Sequence, residues 1–263
     1  MGLQEPSKGD QRRARIIEWL KRHGKISVQE VIEHFQCSEA TARRDLDLLE
    51  LSGSLIRTIG GAQFEGFAGA GSREVSFDEK KRVLWIEKEA IAAKAASMVE
   101  EGDVIGLTGG TTTFLIAKAV KMKRNITVVT NAINIAMELA DSEGVQVVVT
   151  GGVLRNKSFE LAGPLAEKTV EALHIGRMFL GIDGISIEQG LTTYSEPEAE
   201  IAKLLIKRSN QTIAVFDHSK AGRTSLFSMI PLSAMHACIT DKRPDEKLDQ
   251  YLRNHHIHLH IAE

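Results

Sequence analysis

Cysteine is almost missing from this chain. It has two, Cys37 and Cys238, far apart and in no CxxC pair. That argues against a disulfide framework and against a thiolate zinc centre. Long apolar runs are missing too. No uncharged stretch approaches the roughly 18 residues a membrane helix needs. The N-terminal MGLQEPSKGDQRRAR holds no apolar segment of the kind that leads a secreted chain. The chain therefore reads as soluble and cytoplasmic, with no membrane partner. An excess of one charge is also absent. The 33 basic and 35 acidic side chains leave a net charge of −2, so no global field draws the protein to nucleic acid. Any such contact must come from a local patch. What is present is ordinary globular material: 263 residues, 43% hydrophobic and 26% charged, enough for one large domain or two average ones.

The first sixty residues carry three helical patterns. Ile16, Ile17 and Leu20 share a face of a helix predicted from about Asp10 to Gly24. Ser27 is placed to cap a second helix with Val28, Val31, Ile32 and Phe35 on its inner face. Ser38 is placed to cap a third, SEATARRDLDLLELSG, ending at Gly53, with Ala42, Leu46 and Leu49 inward. SLIRTIGGAQF follows, an apolar–polar alternation broken at Gly60–Gly61, which reads as a hairpin tip. Three helices and a hairpin make a winged helix-turn-helix.

In such a unit the N-terminal part of the third helix enters the major groove. Arg43 and Arg44 can take guanine edges or phosphates; Ser38, Glu39 and Thr41 lie beside them; Arg57, Gly60 and Gly61 form the wing. Asp45, Asp47 and Glu50 would meet phosphates badly, and are expected away from the groove or paired with nearby arginines. The alternative for the bare pattern is a small three-helix domain with a solvated arginine pair.

Beyond a linker expected over 65–80, with Gly66, Gly69 and Gly71 and partial order through Phe77, β-branched runs alternate with helical segments. A helix over 86–99 precedes VIGLT; a helix from Thr112, ITVVT, a helix from Asn131, VQVVVT, RMFLGID, a charged helix from about Glu196, QTIAVFD, ACIT, a further helix and IHLHIAE follow. This order implies an open, mostly parallel α/β sheet covered on both faces. The carboxyl ends of such strands share one edge, where ligands bind. Small, polar and charged residues collect there: Gly109, Gly110, Thr111, Thr112 and Thr113; Asn131; Gly152 and Arg155; Asp183 and Gly184; Asp217 and Lys220. The glycines and threonines at a helix start suit an anion. Lys220 or Arg155 can add a full charge, and Asp183 and Asp217 suit hydroxyls. The set points to a small phosphorylated polyol. Taken alone, GGTTT also reads as a capped turn. With no GK[ST] and no GxGxxG, neither a Walker loop nor a dinucleotide site is expected.

SEATARRDLDLLELSGSLIRTIGGA resembles the signature of the DeoR family of bacterial transcription regulators, S-x-x-T-[IV]-R-R-D-L-x-x-L followed by G-x-[LI]-x-R-x-H-G-G-A. Ala42 stands at the family's β-branched position and Ile59 at its wing histidine. The rest of the chain is similar to that family's sensor domain. The matching pieces are Thr130–Asn131, Gly151–Gly152 with Ser158–Phe159 and Gly163, GIDG at 181–184, GLTT at 190–193 followed by EAE at 198–200, and DHSK at 217–220; Thr108 stands where the first loop usually has aspartate. The resemblance implies domains over 1–64 and 81–263, the second with a fold like ribose-5-phosphate isomerase. It implies a repressor, not an enzyme, that binds double-stranded operator DNA as a homo-oligomer, dimer or tetramer. Its affinity would be changed by a phosphorylated sugar or polyol, and no cofactor is implied. Glu200 joins the expected effector residues on this basis.

Two rivals remain. Asp183, Glu200 and Lys220 could serve a sugar-phosphate isomerase. His256, His258 and His260 lie on one strand face and could hold a metal, though a solvated face is the favoured reading and no metal site is expected.

Overall fold

A computed structural model describes residues 8–51, 55–63 and 74–262, which divide into two compact units between Arg73 and Glu74. The expected end of the third helix at Gly53, and Gly66, Gly69 and Gly71 of the expected linker, lie outside the described residues.

In the first unit, α1 (Lys8–His23), α2 (Val28–Phe35) and α3 (Glu39–Leu51) enclose one apolar core. Ile16, Leu20, Val31, Ala42 and Leu46 are fully buried there. These residues recur at helical spacing, so one face of each helix is apolar and packing supplies the stability that short helices lack alone. α2 starts with a capping box: the Ser27 hydroxyl accepts from Glu30 N–H while the Glu30 side chain accepts from Ser27 N–H. Strands β1 (Lys25–Ser27), β2 (Ile56–Thr58) and β3 (Gly61–Gln63) form an antiparallel sheet in the order β1-β3-β2. β1 was not foreseen, because three residues carry no period. Gly60 turns the hairpin at φ +84°, and a Cβ on Gly61 would lie 2.3 Å from the Ile26 carbonyl oxygen. Both positions therefore need glycine.

The second unit begins with α4 (Phe77–Lys81) and α5 (Trp85–Ser97). The chain then alternates through β4 (Val104–Leu107), α6 (Thr111–Val120), β5 (Ile126–Thr130), α7 (Ile133–Leu139) and β6 (Val145–Val149). The hairpin β7 (Val153–Arg155) and β8 (Glu160–Ala162) leads to α8 (Pro164–Val170) and β9 (Ile175–Gly181). A small antiparallel sheet joins β10 (Gly184–Ser186), β11 (Gly190–Thr193) and β13 (Phe227–Ile230) around α9 (Glu196–Lys207) and β12 (Ser209–Val215). β14 (Ala237–Thr240), α10 (Glu246–Asn254) and β15 (His258–Ile261) complete it.

The main sheet runs β15-β14-β12-β9-β4-β5-β6, with every neighbouring pair parallel. Side chains alternate across it. Phe179, Ile213 and Val215 join the core under α5, α6 and α7. Leu180, Ala214 and Phe216 join the core under α9 and α10. A two-residue period sandwiched between helices explains the nearly continuous apolar runs in these strands. β5 and β6 extend the sheet on one side of β4; β9, β12, β14 and β15 extend it on the other. The strand order thus reverses between β4 and β9, the point where an open α/β sheet leaves a crevice at its carboxyl edge.

One expectation needs correction here. Residues 74–80, expected as the end of a linker with partial order through Phe77, belong to the second unit. Ser76 and Glu79 form a capping box for α4, and Phe77 is buried edge-on against Phe114 and Phe159. The cause is tertiary: one short turn is held by aromatic neighbours remote in sequence.

Candidate functional site

On the first unit, α3 presents Glu39, Arg43, Arg44 and Asp47 to solvent. Arg43 pairs with Glu39 one turn earlier at 2.7 Å, an exposed contact that water and salt weaken. Arg44 has no ionic partner among the described residues. Ser38 Oγ and Thr41 Oγ1 are 2.8 Å apart, and Thr41 N–H donates to Ser38 Oγ. The Ser38 hydroxyl therefore caps the helix, with the Thr41 hydroxyl bonded to it. Asp45 is buried and holds both Arg12 and Arg13. Asp47 takes the Arg57 Nε–H at 3.0 Å, and Glu50 takes the Arg57 backbone N–H. The acidic residues are thus paired rather than aimed at a groove. Arg57 differs from expectation. Its guanidinium is tied to Asp47 and to the Gly61 carbonyl, so it braces the wing against α3 instead of pointing outward.

On the second unit, a pocket opens at the reversal point. The loops after β4, β9 and β12 supply Gly109, Gly110, Thr111, Thr112, Asp183, Asp217 and Lys220. α6 starts at Gly110 with no side-chain cap. The first-turn amides of a helix have no partner inside it, and the dipole adds partial positive charge. Lys220 lines the same pocket and makes no ion pair among the described residues. The Ser158 hydroxyl, also on the wall, is shielded from solvent and has no partner among the described residues.

The rest of the wall was not foreseen. Lys80 Nζ donates to Asp183 Oδ1 at 2.5 Å. Asp183 Oδ2 accepts from the Thr193 hydroxyl and from Tyr194 N–H. Burial pushes the Asp183 pKa up, but the Lys80 and Lys220 charges outweigh it and hold it down to about 2. Lys88 is buried, donates to the carbonyls of Lys80 and Val83, and stands 4.0 Å from Asp217. Glu160 is buried, and its Oε1 accepts from Gly109 N–H at 3.0 Å and from Asn131 Nδ2 at 3.2 Å. Burial and the neighbouring Glu198 push the Glu160 pKa well up.

Not every predicted residue reaches the pocket. Thr113 is fully buried and turns its hydroxyl back to the Gly110 carbonyl. Asn131 is fully buried behind Glu160. Gly152 packs on β8, with Ala162 O 2.7 Å from where its Cβ would stand; Gly184 packs on Arg223 and Thr192. Arg155 is divided between Glu74 at 2.7 Å and Glu198 at 3.1 Å, so its charge is already spent. Glu200 is exposed and pairs with Lys203. Glu198 faces the pocket instead, because two helical residues are about 200° of rotation apart. For α4 a signal existed in the S-x-x-E of Ser76 to Glu79. For Glu160 and Lys88 there was none, since each owes its place to tertiary packing.

A winged helix-turn-helix unit and an α/β unit with a polar pocket at its sheet edge define a class: DNA-binding regulators that carry their own ligand sensor. Residues 12–65 match the family model of the DeoR-like helix-turn-helix domain, and residues 85–242 match that of the DeoR C-terminal sensor domain. This chain belongs to the DeoR family of transcriptional regulators. Among similar proteins, the uncharacterized HTH-type transcriptional regulator YulB of Bacillus subtilis is 36% identical over 89% of this chain and 90% of its own. The glycerol-3-phosphate regulon repressor of Escherichia coli K12 is 32% identical over 97% of this chain and 100% of its own. Among solved structures, ribose 5-phosphate isomerase A of Methanocaldococcus jannaschii aligns over 52% of this chain and 55% of its own, with 17% identity and a TM-score of 0.40. No helix among the described residues is long and apolar enough to cross a membrane.

Proposed function

We propose that this protein represses a sugar or polyol catabolic operon in the cytoplasm, and that a phosphorylated sugar or polyol in the α/β pocket sets its grip on operator DNA. One observation carries the ligand class: the uncapped start of α6 opens into the same pocket as Lys220, a cation that makes no salt bridge within 4 Å among the described residues although Asp183 feels its charge. First-turn amides with no side-chain cap, the helix dipole and this ammonium favour a phosphate. The hydrogen-bonding wall around Asp183, Thr193 and Ser158 suits hydroxyls. The named function of the glycerol-3-phosphate regulon repressor agrees with that chemistry.

Arg44, Arg43, Ser38 and Thr41 are the residues we assign to DNA, in homo-oligomers, dimer or tetramer, that set recognition helices on repeated half-sites. Release of DNA is the expected response. By linkage, an effector that weakens DNA binding must itself bind the DNA-bound protein less tightly. Catalysis is not part of this reading. Of the groups an isomerase would draw on, Asp183 is held down to about 2 by Lys80 and Lys220, and Glu200 lies on the exposed side of α9. Isomerase turnover that disappears on changing Asp183 would overturn it.

The test is a gel shift on the protein's own upstream DNA with phosphorylated sugars and their unphosphorylated forms. A shift reversed by one phosphorylated compound is the expected result. Lys220→Ala should keep the shift and lose the reversal. A Lys220→Ala protein that responds like wild type would mean the ligand lies elsewhere.

A further inference from the structure

Lys80 is the strongest feature that the reading above leaves unused. Asp183 Oδ2 is fixed from the sheet side by Thr193 and Tyr194, while Oδ1 accepts from Lys80 Nζ. Both members of the pair line the pocket. Resting on the proposed function, we infer that the Lys80–Asp183 pair is the hydroxyl-reading contact of the effector site, and that it makes the segment 74–81 a responding part of that site.

The chemistry is one of matching donors and acceptors. A group entering between an ammonium and a carboxylate must accept from the first and donate to the second. A hydroxyl does both. A phosphate or carboxylate satisfies Lys80 and confronts Asp183; an ammonium does the reverse. The neighbours sharpen the choice. Glu74 and Glu198 line the same pocket and already share Arg155, so a second anion would find that cation taken and only acceptors beside it. The site therefore selects a monophosphate whose remaining part is a neutral polyol, with its phosphate toward α6 and Lys220. Carboxylated phosphates are rejected.

The same contact reaches the chain junction. α4 is short, and its place depends on a few ties: Phe77 between Phe114 and Phe159, Phe77 N–H to Lys157 O at 2.8 Å, Lys88 to the Lys80 carbonyl, and Lys80 to Asp183. A hydroxyl inserted into the last tie must move Lys80 relative to Asp183, and so acts on α4. Glu74 is the first residue of the second unit and follows directly in the chain on the DNA-binding unit.

The experiment is calorimetric titration of the full chain with inorganic phosphate, glycerol 3-phosphate, glucose 6-phosphate and 3-phosphoglycerate, with amide exchange followed over residues 77–83. In the wild type, one polyol phosphate should bind more tightly than inorganic phosphate and than 3-phosphoglycerate, and should change exchange in α4. In Lys80→Met that polyol phosphate should weaken by about 10- to 100-fold, as for a lost hydrogen bond to a charged group. Inorganic phosphate should change less than about threefold, the scale of a modest medium-range charge effect. The double variant Lys80→Met/Asp183→Asn removes the pair without stranding a charge; it should show the same loss if the single variant melts without a cooperative transition. Wild-type affinity for the polyol phosphate in these variants would overturn the inference. So would equal binding of 3-phosphoglycerate. A wild type that binds inorganic phosphate but no polyol phosphate better would overturn it and leave the anion site standing. A wild type that binds none of the four would overturn both readings.

Discussion

Arg44 and Arg57 show how two arginines of one motif come to different work. Arg44 is exposed with no ionic partner among the described residues, whereas Arg57 is held by Asp47 and Gly61. Arg44→Ala should cost about 1–3 kcal/mol of operator binding, measured by gel shift, and should flatten the salt dependence if the contact is to phosphate. Glu160 makes a second residue-scale case. Its folded pKa is raised by burial and Glu198, so its contribution to stability is complete below the unfolded value near 4.3 and is lost as pH rises through the folded one. Gln keeps the carbonyl oxygen that accepts from Gly109 and Asn131. Glu160→Gln should therefore melt at a similar temperature near pH 5 and fall off less steeply above it. A steeper decline would contradict this. Asp183 has the opposite sign: its contribution is present above about 3.9 and is lost as pH falls through about 2.

At the scale of elements, loop and helix are fitted closely. A Cβ on Gly109 would lie 2.1 Å from the Glu160 Cγ. Gly109→Ala should force Glu160 aside and destabilise the second unit by about 1–3 kcal/mol, read from denaturant midpoints. The cap of α4 can be tested separately. Ser76→Ala removes the acceptor for Glu79 N–H and should cost about 1 kcal/mol locally, seen as faster amide exchange over 77–81. The helix boundaries were mostly readable, because caps and apolar spacing agree: Ser27 and Ser38 each accept from the backbone N–H three residues on. β1, α4, α8 and the short strands β7, β8, β10, β11 and β13 were not, being too short to carry a period. Glu198 and not Glu200 lines the pocket, a matter of helix phase, which a motif match does not set.

For the whole molecule, the two units have separate apolar cores. Leu46 is fully buried in the first. Leu46→Ala should lower the stability of the DNA-binding unit by about 2–5 kcal/mol and leave the sensor's own transition in place, giving two calorimetric steps. One merged transition shifted as a unit would refute this independence.

The sequence by itself determined the helices and wing of the first unit and the order of strands and flanking helices in the main sheet, and hence the class of protein. Strand runs, helix spacing and turn glycines are local properties, and the α3 and wing residues lie close together along the chain. The carboxyl-edge site was legible to the same degree, since each strand delivers its loop to one side. Only the tertiary structure decided which of those loop residues share a pocket. Lys80, Lys88, Glu160 and Glu198 meet Asp183, Asp217 and Gly109 across wide sequence separations. Arg155, Glu200 and Arg57 are drawn off into ion pairs nearby. A charge has its function set by the partner that reaches it first, and that partner is fixed by packing, not by spacing along the chain.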